Sequence, residues 1–354
     1  VSRPGGVLSP LRKTSSMNRQ FRLAARPVGL PKSSDWELTT EPVPEPAEGQ
    51  VVVQVLYISL DPAMRGWMNA GRSYIPPVEI GAVMRALGAG RVVNSRHPGF
   101  APGDFVTGAL GVQEYALMDA KELTKVDPGA IPLESYVSVL GPTGMTAYFG
   151  LLDVGRPEPG QTVVVSGAAG AVGMLVGQIA KIKGCRAVGI AGGADKCRYI
   201  VDELGFDAAI DYKSDNVAKA LREHAPGGID VYFDNVGGDV LDACLLNLAR
   251  RARVVLCGAI SQYNNTAPAK GPSNYMMLLV TRSRMEGFVV FDYAARYAEG
   301  GRELAAWLRE GRIKSREHIV EGFEAFPDAV NSLFAGANTG KLILKVADPK
   351  VASA

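Results

Sequence analysis

The sequence predicts an α/β protein: a parallel sheet wound by helices on both faces, joined to a smaller β-rich body. Three observations predict it. From Thr162 onward, short β-branched runs alternate with stretches of helical periodicity, the order of a parallel doubly wound sheet. From Phe21 to about Met118, short strand-like runs are instead punctuated by Pro and Gly, as in a compact barrel or sandwich. After the helical stretch the tail returns to the β pattern, through His318–Glu321, a helix opened by Pro327, and Gly340–Val346. The β-rich domain is therefore expected to be discontinuous, from residues 17–137 and 312–354, with 138–311 as the doubly wound domain.

In chain order, the first strands are expected at Trp36–Glu41, Gln50–Leu60, Gly90–Arg96, Asp104–Ala109 and Gln113–Leu117, where apolar residues alternate or run over strand lengths. Tyr57 to Gly66 ends one strand and turns into a loop, and Ser73-Tyr74-Ile75-Pro76-Pro77 is a second loop carrying an aromatic. Taken alone, each reads more readily as a structural turn than as a functional loop. Helical spacing begins around Leu140–Tyr148, and Pro157, Pro159 and Gly160 introduce the next strand.

That strand, Thr162–Ser166, leads into Gly167-Ala168-Ala169-Gly170-Ala171-Val172-Gly173 and an apolar pattern at Val172, Leu175, Val176, Ile179 and Ile182. Strand, glycine-rich turn and helix in this order aim backbone N–H groups and a helix N-terminus at one spot, where a pyrophosphate binds. The dinucleotide fingerprint asks for glycine at 168, 170 and 173, and Ala168 makes the match two of three. The plainer alternative is a tight turn that packs a helix on a sheet. Three further strand-and-helix units in register favour the nucleotide. They are Arg186–Ala191 with Asp195–Leu204 (closed by Gly205), Ala208–Tyr212 with about Ser214–His224, and Ile229–Val236 with a helix from Gly237-Gly238 to about Arg250. Arg253–Ile260 is the fifth strand, Met285–Phe291 a further strand and Tyr293–Arg309 a long helix.

Composition excludes several classes. Lys and Arg exceed Asp and Glu by 38 − 36 = 2, with no long basic run, so neither nucleic acid nor an anionic membrane is indicated. No apolar run is long enough for a membrane span, the longest, such as Tyr275–Val280, being strand- or turn-sized. Cys185, Cys197, Cys244 and Cys257 show no CxxC spacing and no disulfide framework, which suits a reduced, cytosolic setting. His97, His224 and His318 are not spaced as a ligand pair and the first domain has no cysteine, so no metal site is expected. Val1–Ser16 lacks the apolar core of a secretory signal and reads as a tag or disordered extension before Met17.

In an open parallel sheet the ligand lies beyond the carboxyl ends of the strands, which selects loops 166–173, 191–196, 234–238 and 257–264. The position that usually carries an acid for the ribose 2′-hydroxyl holds Ala191, Gly192 and Gly193, with Lys196 shortly after. Small residues leave room for a 2′-phosphate and a lysine balances its charge, which favours NADP over NAD; a solvated helix lysine is the alternative. Asp195 is better placed as a helix N-cap. Tyr263, past the fifth strand, is either a phenol donor or a packed aromatic at the domain seam.

Together Leu60-Asp61-Pro62-Ala63-Met64-Arg65-Gly66, Ser73–Pro77, the glycine-rich turn, Phe233–Gly238, Gly258-Ala259-Ile260-Ser261-Gln262-Tyr263-Asn264 and Asn338-Thr339-Gly340-Lys341 carry a family likeness. The chain resembles the zinc-independent medium-chain dehydrogenase/reductases and, within them, the NADPH-dependent alkenal/one reductases, which include prostaglandin and curcumin reductases. The likeness runs from about Asn18 to Val346. The Asp-Pro-x-Met-Arg and Ile-Ser-x-Tyr-Asn pieces are its most discriminating parts. Two departures bear on substrate range and phosphate contacts: Ala63 where the family often has Tyr, and Gly192-Gly193 where it has a Ser-rich loop.

The resemblance implies a GroES-like domain beside a Rossmann domain, NADPH in the cleft, and a homodimer, for which the apolar Tyr275–Val280 and Met285–Phe291 segments also speak, in the cytoplasmic setting that the cysteines suit. Ala168, Ala169, Gly170, Val172 and Gly173 would hold the pyrophosphate. Gly192, Lys196 and Tyr212 would surround the 2′-phosphate, and Asn235 the nearby ribose. Cys257, Gly258, Ala259, Ile260, Tyr263, Phe288, Val289, Val290 and Asn338 would line the nicotinamide side. Tyr57, Asp61, Arg65 and Tyr74 would face the substrate. The implied reaction is hydride transfer to the β-carbon of an enone or enal, with Tyr263 or a cofactor ribose hydroxyl donating to the enolate oxygen. A quinone oxidoreductase of the same fold and a non-catalytic NADPH-binding sensor or structural protein remain as alternatives.

Overall fold

The computed structural model describes residues 17–349; the extension expected over Val1–Ser16 lies outside them. The β-rich part opens with β1 (Met17–Leu23) and β2 (Trp36–Pro42), which pair antiparallel as a two-stranded sheet. Then come β3 (Gln50–Ser59), a short helix α1 (Ala63–Trp67), β4 (Gly88–Ser95), β5 (Phe105–Gly108), β6 (Tyr115–Asp119) and β7 (Thr124–Val126). The chain next forms α2 (Pro142–Phe149) and the alternating series β8 (Thr162–Ser166), α3 (Gly173–Ile182), β9 (Arg186–Ala191), α4 (Ala194–Arg198), β10 (Ala208–Asp211), α5 (Val217–His224), β11 (Ile229–Asp234), α6 (Gly238–Leu245) and β12 (Leu248–Leu256). It closes with α7 (Met277–Thr281), β13 (Arg284–Gly287), α8 (Tyr297–Arg309), β14 (Glu317–Glu321), α9 (Phe326–Phe334) and β15 (Lys341–Lys345).

Strands β8 to β13 form a six-stranded sheet in the order β10-β9-β8-β11-β12-β13, every neighbouring pair parallel. The order runs outward from β8 in both directions, which is the doubly wound Rossmann arrangement. Val163, Val164 and Val165 in β8 have no exposed surface, as expected of a central strand covered on both faces. Helix α3 covers one face with Met174, Leu175, Val176 and Ile179, all fully buried. The other sheet has seven strands, in the order β14-β15-β3-β4-β5-β7, with β6 also on β3. β15 pairs antiparallel with β3 through Ile343–Ser59, Leu344–Ile58 and Lys345–Tyr57, so a late strand completes the sheet of the early ones. Among the described residues no helix is long and apolar enough to cross a membrane.

Several elements differ from their expected bounds for local reasons. Helix α6 stops at Leu245 instead of near Arg250, because the Asn247 side chain donates to Ala243 O at 2.8 Å and so closes the last turn. β12 consequently starts at Leu248, five residues before the expected Arg253. β13 ends at Gly287 instead of Phe291: its partner β12 ends opposite it at Leu256, and the chain leaves the ladder for a 3₁₀ turn over Val290–Arg296. That turn also delays α8 from Tyr293 to Tyr297. The apolar run Tyr275–Val280 contributes most of the short helix α7. Asp195 does not cap α4: Gly193 holds the N-cap position, and the Asp195 carboxylate pairs with Arg198 at the surface.

Candidate active site

The strand order reverses between β8 and β11, and there the ends of the two strands are tied together. Asn235 donates from Nδ2 to Ser166 O at 2.7 Å and from its backbone amide to Ser166 Oγ at 2.9 Å. One buried oxygen of Asp234 accepts from Ser166 Oγ, Tyr232 Oη and the amides of Val236 and Gly237, between 2.8 and 3.0 Å. A cleft of about 1040 Å³ opens above this point, walled by both sheets.

The glycine-rich turn forms one wall. A β-carbon on Gly173 would stand 2.3 Å from Gly167 O, so the helix can start this close to the turn only without a side chain. Ala169, Gly170, Val172 and Gly173 line the cleft, with the amino end of α3 beside them. Ala168 does not. It is fully buried, and its amide donates to Ile190 O at 3.0 Å. The first fingerprint position therefore faces the core, where a methyl group fits, and the missing glycine leaves the cleft wall unaltered. From the other domain, Gly340 donates its amide to Ala169 O at 2.7 Å.

At the far end lie Gly192, Lys196 and Tyr212. A β-carbon on Gly192 would come within 2.8 Å of the Tyr212 ring, so the glycine lets the phenol lie over the strand end. Lys196 donates from Nζ to Gly336 O at 2.7 Å. Burial, and then the charge of Lys213, hold the Lys196 pKa below its ordinary value. The acids nearby are engaged elsewhere: Asp211 accepts from the amides of Gly193 and Lys213, and Asp195 pairs with Arg198. A lysine bonded to a backbone carbonyl and to no carboxylate, beside a phenol and a glycine floor, suits a dinucleotide that carries a 2′-phosphate.

Elsewhere the cleft is lined by Cys257, Gly258, Ile260, Tyr263, Phe288, Val289, Val290 and Asn338, with Asp61 and Tyr74. The Tyr263 oxygen accepts from the Ala259 amide at 3.1 Å. That bond places Ala259 behind the phenol, off the cleft wall. Burial pushes the Tyr263 pKa up and the Ala259 bond partly offsets it, so the hydroxyl keeps its proton at neutral pH. Burial, with Asp234's charge, likewise pushes the Cys257 thiol up to about 12, which leaves it protonated. Tyr74 accepts from Trp67 Nε1 at 3.0 Å, and Asn338 donates to Gly340 O at 2.9 Å. Asp61 accepts from Ser59 Oγ at 2.5 Å and pairs with the buried Lys341 ammonium at 2.6 Å.

Two expected substrate residues do not line the cleft. Tyr57 is buried with Leu56, Leu133, Val137 and Ile343 in a separate apolar cluster, after an irregularity in the β3–β4 register between Val55 and Tyr57. Arg65 is 3% exposed and spends its guanidinium on the backbone of Pro27 and Gly29 and on the side chains of Asn69 and Asn264. Conversely, Thr143 and Thr146 of α2, Asp239 and Asp242 of α6, and Phe291 line the cleft without having been singled out. The texture change near Leu140 marked the join between domains, where clefts form, and was the available signal for the first two.

Comparison with known proteins agrees with this architecture. A family model for the N-terminal domain of oxidoreductase matches residues 19–126, and one for zinc-binding dehydrogenase matches residues 171–306. The chain is 44% identical over 335 residues to the NADPH-dependent curcumin reductase of Escherichia coli, covering 93% of this chain and 97% of that one. It is 40% identical over 336 residues to the NADP(+)-dependent 2-alkenal reductase of Nicotiana tabacum, with the same coverages of 93% and 97%. The chain belongs to the medium-chain dehydrogenase/reductases, in their alkenal/one reductase group. Among solved structures, CurA from Vibrio vulnificus in complex with NADPH superposes with a TM-score of 0.89 at 44% identity, over 94% of this reductase and all of that chain (100%). The zinc in the second model's description does not fit this reductase. Among the described residues no three His, Cys, Asp or Glu side chains gather where they would hold a metal ion, and no step below runs through one.

Proposed function

We propose that this reductase binds NADPH in the cleft and reduces the carbon–carbon double bond of α,β-unsaturated ketones and aldehydes. The observation that carries the proposal is the Tyr263 phenol, protonated and held by Ala259 beside Gly258 and Phe288–Val290. The family membership and the NADPH bound by CurA support it.

Ala169 to Gly173 would hold the pyrophosphate by backbone amides and the amino end of α3. Lys196 and Tyr212 would take the 2′-phosphate, and Asn235, fixed through Ser166, the nearby ribose. When bound, NADPH supplies a hydride to the β-carbon of the substrate. Negative charge then builds on the carbonyl oxygen, where Tyr263 donates its hydroxyl proton in a hydrogen bond that strengthens with the charge. The α-carbon takes its proton from solvent, which completes addition of one hydride and one proton across the double bond. Asp61 and Tyr74 stand at the substrate mouth. NADPH oxidation measured against a panel of enones, enals and quinones tests the proposal. Turnover confined to quinones would reassign the substrate class, and no turnover at all would leave a binding protein.

A homodimer belongs to the same proposal, and an apolar surface supports it. Tyr275, Leu279 and Val280 on and before α7 are 57%, 70% and 57% exposed, beside β13, the edge strand of the parallel sheet. A second copy pairing along β13 would cover them, which supports a homodimer. The cysteines at 185, 197, 244 and 257 are free thiols, which supports a cytosolic setting.

A further inference from the structure

The geometry points to Arg65 as a positioning residue for Tyr263, acting through Asn264. Arg65 lies in α1 of the β-rich domain, whereas Asn264 follows Tyr263 in the loop after β12, on the other domain. Arg65 Nε donates to Asn264 Oδ1 at 3.1 Å and shares that proton with Gly29 O at 3.0 Å. Its two other nitrogens hold Asn69 Oδ1 at 2.6 Å and Pro27 O at 3.0 Å. The guanidinium is thus fixed on one side to the turn at residues 27–29 and on the other to the loop beside the phenol. That loop also rests on the same turn: a β-carbon on Gly29 would meet Thr266 at 3.7 Å and Asn264 O at 3.8 Å.

The chemistry of the fork explains the residue type. Arginine presents five N–H donors in a rigid plane and reaches these acceptors in different directions at once, which a lysine ammonium cannot do. Burial lowers the Arg65 pKa, and the charge of Asp35 opposes that shift. The group remains a cation with no carboxylate among its hydrogen-bond acceptors. Paying for a buried charge is reasonable where it fixes a position that flexible packing would leave loose. The two most discriminating sequence pieces, one carrying Arg65 and the other Tyr263-Asn264, therefore meet in space as one clasp across the domain seam.

The Ala259 amide reports this position directly, because it donates to the Tyr263 oxygen. The clasp rests on the proposed donor role of Tyr263 for its effect on rate, but not for its effect on that amide. Asn264 is only partly buried, so Asn264→Ala tests the clasp without opening the core. In the full-length protein with NADPH, Asn264→Ala should speed hydrogen exchange at Ala259 by about tenfold, approaching the rate in Tyr263→Phe, and should lower kcat by about tenfold with an unchanged NADPH Kd. Asn264→Asp keeps the acceptor and should restore both, and Tyr263→Phe combined with Asn264→Ala should lose no more rate than Tyr263→Phe alone. Unchanged exchange at Ala259 in Asn264→Ala would overturn the clasp. Faster exchange with an unchanged kcat would also overturn it as a positioning device wherever Tyr263→Phe is slow. If Tyr263→Phe itself turns over normally, the donor role falls and the exchange result alone decides the clasp.

Discussion

Lys196 Nζ donates to Gly336 O at 2.7 Å, so a cation on the cleft wall is held by a turn of the other domain. The bond fixes the ammonium while leaving further N–H donors for a ligand. Lys196→Ala should therefore weaken NADPH binding much more than NADH binding, by roughly ten- to a hundredfold for loss of a charge-assisted phosphate contact. Equal losses in titrations with the two cofactors would refute the assignment. The pH dependence has a definite sign. Free Lys196 has a lowered pKa, and a bound phosphate raises it, so NADPH affinity is full below the free-state pKa and declines as pH rises through it. Lys196→Arg should shift that decline to higher pH.

Tyr263→Phe removes only the hydroxyl and keeps the ring. Loss of one oxyanion donor costs about a hundred- to a thousandfold in rate, and substitution by water or a ribose hydroxyl reduces that to roughly ten- to a hundredfold here. The loss should fall on kcat, with the NADPH Kd unchanged. Because the phenol pKa is raised, kcat should show no loss of this donor up to the ordinary tyrosine range. A wild-type kcat in the variant would reduce Tyr263 to packing.

Asp61→Ala would leave the Lys341 ammonium, 1% exposed, with Leu60 O at 2.9 Å but without its carboxylate. Breaking a buried pair by removing one partner costs about 3–5 kcal/mol, which urea unfolding would measure. A change below about 1 kcal/mol would mean that the ammonium reaches water once the carboxylate is gone.

Leu279→Arg places a charge on the exposed face of α7 and should shift a homodimer toward monomer in light scattering. A wild-type protein that scatters as a monomer over a broad concentration range would remove the proposed interface altogether.

Elemental analysis of the purified protein should find no stoichiometric zinc, and a chelator should leave turnover intact. One zinc per chain would require ligands that the described side chains do not assemble.

Much of the glycine-rich wall of the cleft was legible because it depends on local order. Strand β9 matches its expected bounds, and the turn from Gly167 to Gly173 needs only β-branched residues, glycines and a helical repeat within one stretch. What was not legible depends on distant partners. An irregularity near Val55 decides which side of β3 Tyr57 occupies, and no periodicity reveals it. Arg65 reads as a loop cation, yet its acceptors lie at positions 27, 29, 69 and 264. The acidic residues of α6 reach the cleft because Gly237-Gly238 turns that helix there, and a glycine pair specifies a turn without its direction. The stop of β13 at Gly287 was set by the length of its neighbour rather than by its own residues.

The tie between Gly340 and Ala169 gives the order of synthesis a role in building the glycine-rich wall of the cleft. A ribosome delivers the glycine-rich turn roughly midway along the chain, and β3 much earlier, whereas both wait for the segment around β15. Until then β3 lacks its β15 neighbour and the turn lacks its anchor from Gly340. Contacts of such long sequence separation close late. A nascent chain truncated before Gly340 should thus present the parallel sheet without a fastened turn, and dinucleotide affinity should appear only once the segment through β15 has been made.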